Sequence, residues 1–504
     1  MKHMRKLASL LLALVMVFAL ATTAFAEETT ETTYSITINN SATGHTYEAY
    51  QIFTGALSGT TLSNIVWGSS ISEEGKTQFG DAAAKAESLT SVELAKAFAK
   101  EVAPYLTTVA GTTNTLNEGK YVISNLAAGY YLVKDKDNSL TGANDSYTEY
   151  IVKVVSDTTA TPKSDVPTVE KKVKDINNST DDAMTDWQDS ADHDIGDSVP
   201  FQLKATLANN VSSYTTYKVV FHDTQSKGLT YNNDAKVYIN GTETTGFTVT
   251  STVNADGTTT LTVSCNDVKA LGAGDSSVIT VEYTATLNEN AVLGSAGNPN
   301  EVYLEYSNNP NKSEEGNNET GNTPKDVVIV FTYKTIVNKV TKNPNYDPEV
   351  EGSKEYIPLE GAEFTLEKYN KKTDKWEAIT VVKNDEGTTF TFTGLDDGNY
   401  RLTETKTPAG YNTIAPIEFT VTAAHDVLSD NPALTSLSGN ATTGELTFTS
   451  NTTEGSLSAD VVNNAGSTLP ETGGIGTTIF YVLGSVLVLA AVVLLVTKKR
   501  MRNV

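Results

Sequence analysis

Near its C-terminus the chain runs for 20 residues, 477–496, without a charge and then closes on Lys498, Lys499, Arg500 and Arg502. As a helix such a run rises roughly 30 Å, the hydrocarbon thickness of a bilayer, so it is predicted to cross a membrane once. Lys and Arg stay on the cytoplasmic side, which puts everything before the run outside the cell. The N-terminus agrees. Lys2, Arg5 and Lys6 precede an apolar stretch over 7–20 and the small-residue pattern Ala24-Phe25-Ala26, the form of a signal peptide (1–26) cut after Ala26. The exported part holds a single cysteine, Cys265, so no disulfide can form within one chain. Its stability must rest on hydrophobic burial or on another covalent staple.

The region behind the signal peptide starts in β, with alternating apolar residues over 34–38 and 47–53, and turns to Ala, Glu and Lys over 73–106. There Val92, Ala95, Phe98, Ala99 and Val102 recur at helical spacing behind a Ser91 cap. Strand patterns return at 120–124, 130–134 and 150–155, so 27–160 reads as a β-rich domain with a helical insertion. Residues 161–167, polar and with two prolines, form a linker. From 168 to 325, short Val-, Tyr- and Thr-rich runs alternate with Gly, Asn and Asp turns, the spacing of an antiparallel sandwich, and 326–466 repeats the style. The expected fold is mainly β: three sandwiches in line.

Five histidines are scattered with no Cys or second His at ligand spacing, so no zinc site is expected and the metal assignment is none. Residues 192–197 (Asp-His-Asp-Ile-Gly-Asp) lack the ordered ligands of a calcium loop and read as a solvated turn before a strand. With no Ser-His-Asp order, metal cluster or Gly-rich phosphate loop, the chain is not expected to be an enzyme or to need a cofactor.

Chemistry enters through strand parity, because side chains alternate faces along a strand. In Val169-Glu170-Lys171-Lys172-Val173, Lys171 shares a face with two valines; in Val302-Tyr303-Leu304-Glu305-Tyr306-Ser307-Asn308, Asn308 shares one with Val302, Leu304 and Tyr306. The last sandwich repeats this, with Lys339 beside Val337 near its start and Asn463 beside Val461 near its end. If the valines face the core, so do the lysines. An unpaired buried ammonium is costly, its pKa falls, and the neutral amine becomes a nucleophile. Phase inferred from apolar neighbours leaves Lys172 in competition with Lys171, and Asn309 with Asn308.

Family resemblance gives these residues a chemistry. Leu469-Pro470-Glu471-Thr472-Gly473, followed by the apolar span and basic tail, resembles the sorting signal of Gram-positive surface proteins, which a sortase cuts between Thr and Gly (here Thr472 and Gly473). Cut there and after Ala26, the mature chain has 446 residues, and loss of seven basic residues and no acid takes the formal charge from −24 to −31. Such acidity argues against nucleic acid as a partner. The stretch 400–411, with Glu404, is similar to the E-box of collagen-adhesin B-type domains, and 221–230, with Asp223, resembles the segment that supplies an aspartate in the related A-type domain.

These resemblances imply Ig-like sandwiches closed by intramolecular isopeptide bonds. Lys171 would join Asn308 with Asp223 as the promoting acid, and Lys339 would join Asn463 with Glu404. No such set is found in the first domain. Thr161-Pro162-Lys163 is similar to the pilin motif, Thr161 standing where that family has Tyr, and implies Lys163 as the amine joined to Thr472 of the next copy. The implied protein is a backbone pilin, cell wall-anchored at the surface as part of a fimbrium. Its implied partners are other copies of itself, class C and housekeeping sortases and peptidoglycan, with accessory pilins and host surface ligands as further partners the resemblance allows. The alternative is an adhesin anchored singly to peptidoglycan.

Overall fold

The structure is a computed structural model that describes residues 32–162, 165–180, 183–314, 319–383, 387–466 and 475–501. Three β-domains follow one another, as the turn spacing predicts. In the first, a sheet of Lys120–Leu126, Tyr34–Asn39 and Thr158–Ala160 packs on one of Thr61–Trp67, Tyr47–Ser58, Gly129–Asp135 and Glu149–Val154, with Gly111–Thr113 at its edge. Strand Tyr47–Ser58 is buried at nearly every position of its first half because both of its faces are covered. Tyr47 and Ala49 meet Ile36, Ile38 and Tyr121 between the sheets, while Ile52 and Phe53 meet Phe98, Ala99 and Val102 of the insertion.

That insertion is three short helices, α1 (Glu73–Phe79), α2 (Ala82–Ser88) and α3 (Val92–Val102). Each is capped by the side chain before it, Ser72, Asp81 and Ser91, accepting a backbone N–H of the first turn. The expected apolar stripe of α3 is buried only in its second half; Val92 is 65% exposed.

In the second domain a sheet ordered Ser190–Asp192, Asp326–Phe331, Asn298–Ser307, Val219–Gln225, Thr259–Cys265, Thr248–Val253 faces one ordered Thr242–Thr244, Lys236–Ile239, Val278–Leu287, Ser198–Thr206, Thr168–Val173. Their alternating inward residues, among them Phe201, Leu203, Phe221, Leu261, Val281, Val302 and Leu304, make the largest core. Strand Asp326–Phe331 lies in this sheet, antiparallel to Asn298–Ser307, and so does not open the third domain as its position after the Asn-rich segment suggests.

The third domain pairs Tyr333–Lys342 with Thr389–Leu395 on one side and, parallel, with Ser456–Val462 on the other. Its second sheet runs Lys375–Ile379, Glu363–Asn370, Gly398–Lys406, Ile417–His425, Leu434–Ala441. Only Thr332 separates the last strand of one sandwich from the first of the next. Backbones of the two domains touch there: Gly294 N–H donates to Thr332 O at 3.1 Å and Ser295 N–H to Thr452 O at 3.0 Å. A Cβ on Gly294 would sit 2.3 Å from Gly455 N, and one on Gly455 would sit 2.4 Å from Gly294 N, so both positions require glycine. Residues 192–197 are wedged into the same joint, with Asp192 and His193 buried, and are not the solvated turn their composition suggests. Beyond the domains, α4 (Ile475–Met501) contains the apolar stretch Phe480–Lys499, long enough to cross a bilayer and packed against none of the described residues.

Candidate functional site

Lys339 lies in the middle of Tyr333–Lys342, fully buried, under the ring of Phe364, 5.8 Å from its amine. Strand Ser456–Val462 runs parallel beside it with Lys339 opposite Val461, so Asn463 emerges at the amine. The ammonium donates to Val461 O at 2.9 Å and is in tight contact with Asn463 Oδ1. Asn463 Nδ2 in turn donates to both oxygens of Glu404, at 2.9 and 3.2 Å, and Lys339 Nζ is 3.8 Å from Glu404 Oε1. Glu404 is aimed by Thr407 Oγ1 and Ile414 N–H, which donate to its Oε2 at 3.2 and 3.1 Å. Burial, only partly offset by Glu404, lowers the Lys339 amine to about 8. The three residues singled out in the sequence meet in one apolar pocket.

The second pocket is arranged differently. Lys171 is fully buried beside the stacked rings of Phe201 and Tyr283, and its amine is in tight contact with Asp223 Oδ2. Burial lowers its pKa against the opposing pull of Asp223. Lys172 points the other way and pairs with the buried Asp189, its own side chain 29% exposed, which leaves Lys171 as the inward residue. Tyr283 OH donates to Asp223 Oδ1 at 2.9 Å and accepts from Lys171 Nζ at 3.1 Å and from Asn300 Nδ2 at 2.8 Å. Asn300 is fully buried and its Oδ1 has no hydrogen-bond partner among the described residues.

Asn308 is not in this pocket. Asp223 pairs with Val302, so Asn308 lies six residues, about 20 Å, farther along the strand direction. Its Nδ2 donates to Leu140 O at 2.9 Å and Asp145 O at 3.2 Å, and its backbone carbonyl accepts from Tyr147 N–H at 2.8 Å. It holds the first domain to the second. Asn309 caps the same turn and donates to Glu319 Oε2 at 3.3 Å. The asparagine that faces Lys171 and Asp223 is Asn300, and the tyrosine between them is Tyr283. Both were legible only as inward residues of their strands, in phase with Val302 and Leu304 and with Val281 and Ala285.

Lys163, Thr472, Gly473 and the signal peptide lie outside the described residues.

Three family models match the chain. A Gram-positive pilin backbone subunit 2, Cna-B-like domain matches 195–310, a SpaA prealbumin-like fold domain matches 351–431, and the LPXTG cell wall anchor motif matches 461–502. The first holds Asp223 and Asn300, the second Glu404, the third Asn463 and Thr472. The chain carries the domains of a Gram-positive pilus backbone subunit. This pilin is cell wall-anchored, α4 being the membrane helix of its precursor. It is 26% identical over 445 residues to the trypsin-resistant surface T6 protein of Streptococcus pyogenes serotype M6, covering 74% of the pilin and 75% of that protein. Its fold is that of the solved T6 backbone pilin, with a TM-score of 0.54 at 19% identity over 86% of the pilin and 99% of that chain. The full-length major pilin SpaD of Corynebacterium diphtheriae also aligns, with a TM-score of 0.46 at 18% identity over 86% and 98% of the two chains.

Proposed function

We propose that this pilin is a covalent link of the fimbrial shaft, joined from the Thr472 carbonyl to the Lys163 amine of the next copy by a class C sortase, with a housekeeping sortase passing the finished polymer to peptidoglycan. Inside each link, two isopeptide bonds, Lys339–Asn463 and Lys171–Asn300, replace the disulfides that one cysteine cannot supply. The observation that carries the reading is the contact of Lys339, Asn463 and Glu404, all three of them buried.

The chemistry is a transamidation. A proton passes from the ammonium to the neighbouring carboxylate, leaving a neutral amine and a carboxylic acid, the pair that low polarity favours. The amine attacks Cγ of the asparagine while the acid hydrogen-bonds the amide. The Cγ–Nδ2 bond breaks, the acid's proton and the amine's surplus proton leave with that nitrogen as an ammonium ion, and the carboxylate is restored. Each bond is made once, so the protein is a substrate and a structure, not an enzyme with turnover.

Cell-wall extracts boiled in detergent test the polymer. A high-mass ladder that Lys163→Ala abolishes is expected; a single discrete band from the unaltered protein would instead favour the singly anchored adhesin, a reading that Thr161 in place of the motif's Tyr keeps in play.

A further inference from the structure

The joint between the second and third domains gathers three side chains that the cross-linking chemistry does not use. Asp175 follows strand Thr168–Val173, Asp192 ends Ser190–Asp192, and His425 ends Ile417–His425. His425 Nε2 is 3.4 Å from Asp192 Oδ1 and 3.7 Å from Asp175 Oδ2, and the three atoms all lie within 4.8 Å of one another. An N–H donating directly to a carboxylate would bring N and O to about 2.7–2.9 Å. Two donors sharing a tetrahedral cation, each about 2.1 Å from it, stand roughly 3.4 Å apart.

Outer contacts set all three for ligation. Ser190 Oγ donates its one proton to Asp426 O at 2.6 Å, so toward His425 Nδ1, 2.7 Å away, it accepts. Nδ1 therefore carries a hydrogen, and in the neutral ring Nε2 turns a lone pair toward two carboxylates. Asp192 Oδ2 accepts from Asp397 N–H at 3.1 Å and Asp175 Oδ1 from Ile176 N–H at 2.6 Å; Asp192 Oδ1 and Asp175 Oδ2, the latter also accepting from Asp192 N–H at 3.5 Å, face the imidazole. Lys368 does not serve this group; it is engaged with Asp194, at 2.6 Å, and Asp396.

A second observation comes from Tyr333. Its hydroxyl is buried and faces Asp192 without a well-formed hydrogen bond to it or to any other described residue, and Asp397 and Asp175 are its other charged neighbours. A buried hydroxyl left unpaired beside three carboxylates is costly unless something else occupies the space between them.

We propose that Asp175, Asp192 and His425 form a divalent-cation site that clamps the second domain to the third, with the Tyr333 hydroxyl at its border. An imidazole among the ligands selects Zn2+ over the all-oxygen cations Ca2+ and Mg2+. Two ligands come from the second domain and one from the third, so the ion ties the domains only when they are docked.

The mature chain, residues 27–472, stripped with EDTA and dialysed against Zn2+ or Ca2+, tests this by metal analysis. One Zn2+ per chain is expected, with a melting temperature raised by several degrees and affinity at least about tenfold weaker in His425→Gln and in Asp192→Asn. Co2+ in place of Zn2+ should give a visible absorption band that both substitutions remove. The variants should melt like the unaltered chain in EDTA, which separates lost metal from lost folding. No Zn2+ bound, Ca2+ preferred, or Zn2+ bound equally by both variants would overturn the proposal, the first outcome leaving His425 as a protonated partner of the two aspartates.

Discussion

The two lysine pockets solve one chemical problem with opposite topologies. In the third domain Lys339 and Asn463 lie on hydrogen-bonded parallel neighbours of one sheet, and the amine, the amide and Glu404 touch directly. In the second, Lys171 and Asn300 stand on different sheets, and Tyr283 spans the gap between lysine, acid and amide. A bond of the first kind staples strands that already pair. A bond of the second kind bolts one sheet to the other through the core. Burial of the amine is common to both, so the shared requirement is desolvation rather than any one strand arrangement.

The largest effect should come from removing the amide in each pocket. The unaltered mature chain is expected about 34 Da below its sequence mass, one ammonia for each bond. Asn463→Ala and Asn300→Ala should each restore about 17 Da and cost roughly 4–5 kcal/mol, on the analogy of closing a loop of more than a hundred residues. Asn308→Ala should leave the deficit of about 34 Da unchanged and loosen only the first domain. A mass restored by Asn308→Ala and not by Asn300→Ala would return the second bond to the strand end.

Tyr283→Phe should separate the pockets next. It removes the hydroxyl that holds amine, acid and amide together, so the second bond should form about a hundredfold more slowly while the third-domain bond forms as before. Time-resolved intact mass of freshly refolded protein reads both rates. Equal rates would make Tyr283 a packing residue.

The smallest effect is a pH dependence. In Asn463→Ala the Lys339 amine stays unreacted, lowered by burial to about 8 from an ordinary 10.5. Between those values the unfolded chain binds more protons than the folded one, so stability rises with pH across that window and is flat below it. Urea midpoints measured from pH 7 to pH 10 check the sign; a fall across the window would show Lys339 charged and paired in the variant.

Parity along a strand made both lysines legible, because a charged residue in phase with valines has one inward reading. Parity does not report height. Asn300 and Asn308 share a face of the same strand, and the choice between them is made by the register of Asp223 against Val302, a contact 79 positions apart in the chain. The same blindness to distant pairing hid the membership of Asp326–Phe331 in the second sandwich. Residues 192–197 failed for another reason: a polar run is solvated when it belongs to one domain and buried when two domains share it. Glu404 was the easiest residue to find, since the stretch around it carries its own local pattern.

One register has a mechanical consequence. Asn300 lies opposite Val328, so a bond at Asn300 admits tension at the open end of the antiparallel pair Asn298–Ser307 and Asp326–Phe331. Pulled there, hydrogen bonds would yield one after another, as in a zipper, whereas the segments that the two proposed bonds would enclose would carry no load. The stretch from 301 to 329 would then act as a fuse, releasing roughly 100 Å of slack before force reaches a covalent bond. A shaft built of such links could lengthen under a sudden pull and recover without breaking.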